Sequence, residues 1–170
     1  MKTALAAFAL LLPLAALAQA PSDPQIAGIV VTANTIDVNA GKLAKARSHD
    51  KEVKQFAQRM ITDHTAVNKQ AAALAKKLGV KPAASDTSRS LKKEAAQNMA
   101  NLRKLKGAQF DKAYVDHEVA YHQEVLDAID KVLIPSAQNA ELKGLIEKVR
   151  PAIAAHLEHA QHLQESLAKK

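Results

Sequence analysis

A chain of 170 residues is long enough for one ordinary domain, and the absence of cysteine excludes disulfide bonds, thiolate catalysis and cysteine-bound metals. Only 3% of the residues are aromatic and only 5 are glycine, a composition that favours long helices over a β-sheet. The formal net charge is +7, but the lysines are spread without interleaved aromatic residues, so we expect no nucleic-acid partner.

The first 20 residues, MKTALAAFALLLPLAALAQA, have the layout of a secretory signal peptide: a lysine, an apolar run, and small residues before a cleavage site. We predict a signal peptide over residues 1–18, with cleavage after residue 20 as the alternative, and a mature domain over residues 19–170. An uncleaved anchor is the other interpretation, but the apolar run is short for a bilayer. We therefore expect a periplasmic or cell-envelope protein.

Apolar residues recur at helical spacing through the first half of the mature chain. A first long helix is predicted over residues 24–47, after the capping side chain of Ser22. A second is predicted over residues 49–78, between a cap at Ser48 and the helix-ending Gly79.

The second half is predicted to form a loop, a shorter helix and two more long helices. The loop covers residues 80–90 and the shorter helix ends at Gly107. The third long helix runs from about residue 109 and stops before Pro135, and Ser136 or Asn139 caps a last helix that continues to about residue 167. The predicted fold class is all-α, a four-helix bundle with one additional short crossover helix.

Each long helix carries at least one metal-ligand type of side chain on its apolar stripe. These residues are Asp37, His64, Glu118, His122 and His156. Glu118 and His122 lie four residues apart and therefore share one face of their helix. Inward contributions from four helices are typical of a metal site in a bundle core. Mixed imidazole and carboxylate ligands suit Fe, Mn, Cu or Zn, so a transition-metal ion is the cofactor we expect.

Two alternatives remain open for the histidines. Buried histidines also occur as core residues with hydrogen-bonded ring nitrogens, and Asp37 could accept such bonds from His64 and His156 in a purely structural network. Near the end of the last helix, His159 and His162 lie three residues apart. This spacing permits weak chelation of a surface metal, and simple exposure to solvent is the alternative.

Three segments carry a resemblance to a known family: FAQRMITDHTAVNKQ, FDKAYVDHEVAYHQE and AHLEHAQHL, the last preceded by a proline. The chain resembles an exported bacterial domain-of-unknown-function family with a ferritin-like bundle, from about residue 26 to residue 163. The resemblance implies a ferritin-like four-helix fold and an envelope location, and it implies no established activity.

The sequence departs from di-iron ferritin-like proteins in one important way. Those proteins carry Glu-x-x-His on two helices, and this spacing occurs nowhere in the chain. Glu118 is followed at the third place by Tyr121, and the next histidine comes one residue later. A mononuclear, histidine-rich site, or no metal at all, is therefore favoured over a di-iron centre.

Two functions compete at this point. The first is an envelope protein that binds a transition metal as a store, a scavenger or a stress-protective oxidoreductase. The second is a non-enzymatic module that binds anionic envelope polymers or lipid headgroups through its basic surface, with the buried polar residues purely structural. The sequence leaves enzymatic activity and oligomeric state open.

Overall fold

The computed structural model describes residues 20–170, so the predicted signal peptide lies outside the described residues. Within that range the chain is all-α, as predicted, and contains no strand. The helices are α1 (Asp23–Arg47), α2 (Lys51–Leu78), α3 (Asp86–Lys104), α4 (Gly107–Ala128), α5 (Ile134–Ser136) and α6 (Ala140–Leu167). A π-helical segment, Ile129–Leu133, joins α4 to α5. None of the helices in this range is long and apolar enough to cross a membrane.

The four long helices form two antiparallel pairs. In the α1–α2 pair, Lys45 near the end of α1 donates a hydrogen bond to Gln58 near the beginning of α2, at 2.6 Å. In the α4–α6 pair, Gln164 donates to Asp116 at 2.7 Å. Helix α3 connects the two pairs and packs against α1 and α4. A single long crossover agrees with a ferritin-like topology, which stays a prediction.

The beginning of α2 differs from the prediction. The cap is Asp50, whose carboxylate accepts hydrogen bonds from the backbone N–H groups of Glu52 and Val53 at 2.9 and 3.1 Å. Ser48 was the predicted cap, but its backbone N–H still bonds to the carbonyl of Ala44 and ends α1. Asp50 caps the helix instead of Ser48 because it lies two and three residues before these free N–H groups, within reach of its carboxylate. The helix ends as predicted at Gly79, which has a φ of 65°.

Helix α3 begins earlier than predicted, so the loop does not extend to residue 90. Ser85 caps the helix, and its side chain and that of Ser88 each accept from the other residue's backbone N–H, at 3.1 and 2.9 Å. The segment's polar composition indicated a loop, but it instead forms the first turn, where capping side chains are favourable. The helix ends at Lys104, three residues before the predicted Gly107.

The end of the third long helix also differs from the prediction. Instead of stopping before Pro135, the chain widens into the π-helical segment, in which the N–H of Ile134 bonds to the carbonyl of Ile129. Pro135 then lies in α5, which continues the π-helical segment without a break, so its missing N–H leaves a carbonyl of that segment without a helical donor. Of the two predicted caps for the last helix, Asn139 is correct and Ser136 is not, because the Asn139 side chain accepts the first backbone N–H groups of α6.

Two apolar clusters fill the interior. The first is built around large, fully buried residues, including Phe56, Met60, Leu102, Phe110 and Tyr114. The second lies nearer the other end of the bundle and includes Ile26, Ile129, Leu133, Ile146 and Ile153. On every long helix the candidate ligands fall between the residues of these clusters. The interior is therefore two apolar layers with a polar layer between them.

Candidate metal centre

Three imidazoles from three helices meet in the polar layer. They belong to His64 on α2, His122 on α4 and His156 on α6, and each residue is at most 2% exposed. Their ring centroids are 5.2 to 5.7 Å apart, so the rings form a nearly equilateral triangle. One ring nitrogen of each residue lies within 4.8 Å of one ring nitrogen of each of the other two.

His64 is oriented by an asparagine of α1. Its Nδ1 lies 2.8 Å from Oδ1 of Asn34. The amide nitrogen of Asn34 donates to the carbonyl of Val30 at 2.7 Å, which turns the amide oxygen toward the ring. Because that oxygen can only accept, Nδ1 of His64 carries the proton and Nε2 keeps its lone pair. Burial, together with the two other histidines, lowers the pKa of His64 to about 2.

His122 is oriented by its own helix. Its Nδ1 lies 2.9 Å from the backbone carbonyl of Glu118, so Nδ1 donates a hydrogen bond and Nε2 keeps its lone pair. Burial lowers the pKa of His122 to about 4, although the bond to the carbonyl partly opposes this shift. The ring is therefore neutral at pH 7, as a metal ligand must be.

His156 is held by a carboxylate at the edge of the bundle. Its Nε2 lies 2.9 Å from Oδ2 of Asp63, which also pairs with Arg59 at 3.4 Å. The carboxylate accepts, so Nδ1 of His156 is the nitrogen with the free lone pair. Burial lowers the pKa of His156, while the bond to Asp63 opposes that shift. A carboxylate behind a histidine is a common second contact in metal sites, because it orients the ring and raises its basicity.

The three lone-pair nitrogens have no hydrogen-bond partner among the described residues. They are Nε2 of His64, Nε2 of His122 and Nδ1 of His156. One ring nitrogen from each histidine lies within 4.8 Å of one from each of the others, and three atoms at that spacing surround a point no more than about 2.8 Å from each. Zinc–nitrogen bonds are about 2.0–2.1 Å long, so side-chain shifts below about 1 Å would bring all three nitrogens to bonding distance. The residues therefore fit a transition-metal ion.

Asp37 and Glu118 lie on the other side of His122. One carboxyl oxygen of Asp37, one carboxyl oxygen of Glu118 and one ring nitrogen of His122 all lie within 4.8 Å of one another. Burial, reinforced by the neighbouring Glu118, raises the pKa of Asp37 well above its usual range. Burial also raises the pKa of Glu118 to about 8, so a metal-free site retains protons on this pair near neutral pH.

All five residues predicted from the sequence lie in the polar layer, but they form two groups of three that share His122. The predicted network, in which Asp37 accepts from both His64 and His156, is wrong for His156, which bonds to Asp63 instead. Asp37 lies 3.5 Å from Nδ1 of His64.

Sequence reasoning missed the role of Asn34. It lies three residues before Asp37 and therefore on the same face of α1. This spacing from Asp37 could have identified Asn34 as a residue of the same buried face. His159 and His162 belong to neither group within residues 20–170. His159 packs edge-on against Phe56, and His162 lies 3.8 Å from Glu158.

A small pocket reaches the polar layer from one side. Its volume is about 100 Å³, and Asp37 and His64 lie in its wall together with apolar residues of both helix pairs. The exposed Glu124 and the α3 residue Leu91 also line it. The pocket therefore offers a way for water and small ions to approach the buried residues.

Comparison with known proteins gives one match. The model of a family described as "Domain of unknown function (DUF4142)" matches residues 11–163, which is most of the chain. No curated protein and no solved structure shows a significant match.

Proposed function

The chain belongs to the DUF4142 family, a domain of unknown function, and for this chain we propose that the bundle binds a transition-metal ion through His64, His122 and His156. The proposal includes the location expected from the sequence, the periplasm or cell envelope. It also includes a role in holding, scavenging or reacting with the metal there.

One observation carries the proposal. Each of the three rings has one nitrogen fixed by a hydrogen bond and one lone-pair nitrogen without a partner, and the rings surround a common point. A purely structural network would instead satisfy its buried polar atoms, because each unsatisfied one costs about 1–3 kcal/mol. Three protein ligands also leave coordination positions open, as in catalytic rather than structural zinc sites. Imidazole ligands suit Zn, Cu and Fe, and the nearby carboxylates also admit Mn.

The test is metal analysis of the mature protein, expressed without a histidine tag. The protein is dialysed against Zn²⁺, Cu²⁺, Mn²⁺ and, without oxygen, Fe²⁺, and the bound metal is measured by elemental analysis. We expect the wild type to retain metal. The double variant with His64→Gln and His156→Gln should lose metal from the imidazole site. His159→Gln is the matched control, since His159 is a partly buried histidine of α6 outside both groups. A wild type that binds none of the four metals contradicts the proposal.

A second candidate function rests on a separate surface. A groove of about 880 Å³ runs between α1 and α3, and the exposed cations Lys42, Lys92 and Arg103 line it without any carboxylate. This charge supports binding to anionic envelope polymers or lipid headgroups, as the net charge of the chain does. The test is sedimentation with anionic and neutral vesicles at low and high salt. Binding that is insensitive to salt and to Lys42→Glu would count against this candidate.

A further inference from the structure

The three-imidazole site leaves two buried carboxyl groups unexplained. Asp37 and Glu118 are 3% and 1% exposed, and three of their four carboxyl oxygens have no hydrogen-bond partner within residues 20–170. The oxygens are Oδ1 of Asp37 and both oxygens of Glu118. Buried polar atoms are normally paired, so three unpartnered oxygens leave these carboxyl groups unsatisfied whether or not they carry protons, and a bound cation would satisfy them. The pair therefore points to a positively charged ligand of its own.

The geometry does not allow one ion to use all five side chains as they stand. Their ligand atoms form two groups of three, one made of His64, His122 and His156 and the other of Asp37, Glu118 and His122. His122 cannot serve two ions, because Nδ1 donates to the carbonyl of Glu118 and only Nε2 has a free lone pair. If Nε2 binds the imidazole-site ion, the carboxylates remain as ligands for another.

We infer that the bundle binds a second divalent cation, held by the carboxylates of Asp37 and Glu118 beside the ion of the three imidazoles. This inference rests on the proposed function and adds a second position to it. Oxygen ligands select Mn²⁺ or Fe²⁺ over Cu⁺ at this position. The bundle would then contain a two-metal centre with one nitrogen-rich and one oxygen-rich position, whereas the sequence favoured a mononuclear site.

Two further features support an oxygen-rich position. Tyr114 lies one turn before Glu118 on α4 and is fully buried, and its hydroxyl lies beside the Glu118 carboxyl group. The pocket of about 100 Å³ has Asp37 in its wall. A pocket of this size has room for water molecules that could complete the coordination of a cation.

The test counts ions. Wild-type protein is equilibrated with Mn²⁺ and Zn²⁺ together, and the total bound metal is measured per chain. We expect two ions in the wild type, and one in both the Asp37→Asn, Glu118→Gln double variant and the His64→Gln, His156→Gln double variant. Asp111→Asn is the matched control. Asp111 lies on α4 and, like Asp37, is a buried aspartate with an unpartnered oxygen, but it belongs to neither group. Its expected count is two.

The outcomes separate this inference from the proposed function. No bound ion in the wild type overturns both. One ion in the wild type that the carboxylate variant keeps overturns the second position and leaves the three-imidazole site intact, whereas one ion that this variant loses overturns both. A measurement on the wild type alone guards against misfolded variants: with Mn²⁺ as the only metal, the electron paramagnetic resonance spectrum at saturation should show a coupled pair. One isolated Mn²⁺ per chain that added Zn²⁺ displaces, without a second ion being bound, overturns the inference.

Discussion

His122→Leu separates a metal ligand from a structural histidine, because the two roles predict opposite effects on the metal-free protein. His122 is 1% exposed, and its one hydrogen bond is to the backbone carbonyl of Glu118, in its own helix. Helix α4 already supplies that carbonyl with the backbone N–H of residue 122. The substitution therefore removes an unsatisfied nitrogen and leaves no new buried group without a partner.

The expected magnitudes follow from these contacts. Removal of a buried unsatisfied nitrogen stabilises the metal-free protein by about 1–3 kcal/mol, which for a chain of this size raises the melting temperature by about 2–4 °C per kcal/mol. Metal at a hundred times its dissociation constant should stabilise the wild type by about 2.7 kcal/mol. Since His122 belongs to both groups, the variant should lose this metal-dependent increase.

The assay is thermal unfolding of both proteins after chelator treatment and again with added Zn²⁺ or Mn²⁺. We expect the variant to melt at or above the temperature of the wild type without metal, and we expect added metal to raise the melting temperature of the wild type only. A metal-free variant that is less stable by more than about 2 kcal/mol would refute the reasoning, because it would show that His122 holds the core together without a ligand.

Four further predictions concern the site and the fold that carries it. Asp63→Ala should weaken metal binding about 10- to 100-fold in titration calorimetry, because it frees the ring of His156, and unchanged affinity would contradict the orienting role. The stability of the metal-free protein, measured by urea unfolding, should be greatest near pH 6.5. Below that pH the unfolded chain binds more protons than the folded one at the three site histidines, whose pKa values are lowered from 6.5, and this outweighs the carboxyl groups. Above it the histidines no longer contribute, and stability falls because the folded chain still holds the protons of Asp37 and Glu118, whose pKa values are raised by burial. Stability that keeps rising to pH 8 would contradict this. Gly28→Ala should destabilise the fold by about 1–3 kcal/mol, since its Cβ would lie 2.0 Å from a backbone carbonyl oxygen of the loop before α3. Gly144→Ala in α6 meets nothing within 4 Å and should stabilise by about 0.5–1 kcal/mol in the same chemical denaturation.

Helical periodicity was sufficient to predict the number of long helices and the inward position of all five polar residues. The stripe of α2 shows why: Val53, Phe56, Met60 and His64 follow one another at spacings of three and four, and all are buried. Helix ends were less predictable, because they depend on which of several neighbouring polar side chains reaches a free backbone N–H. Ser48 and Asp50 both have capping side chains, and only their geometry decides between them.

The division of the candidate site into two groups could not be predicted from the sequence. Periodicity assigns a residue to a face of its own helix, but the distance between side chains on different helices depends on how far each helix is shifted along its axis. The contact between Asn34 and His64 depends on such a shift between α1 and α2. The same holds for Asp63, whose edge position on α2 allows it to reach His156 on α6 as well as Arg59 of its own helix.

The polar layer lowers the stability of the metal-free bundle, because it separates two apolar clusters that would otherwise form one core. Buried ionisable groups can often be replaced by apolar residues of similar volume without loss of stability, so packing alone does not require this layer. Each of the three imidazoles makes one hydrogen bond, through the nitrogen that is not free: His64 to an amide oxygen, His122 to a backbone carbonyl and His156 to a carboxylate. They leave the lone pairs of three imidazoles facing the interior, beside two carboxyl groups. A network evolved for stability would use those inner atoms to bond to one another, whereas a site for cations has to keep them free.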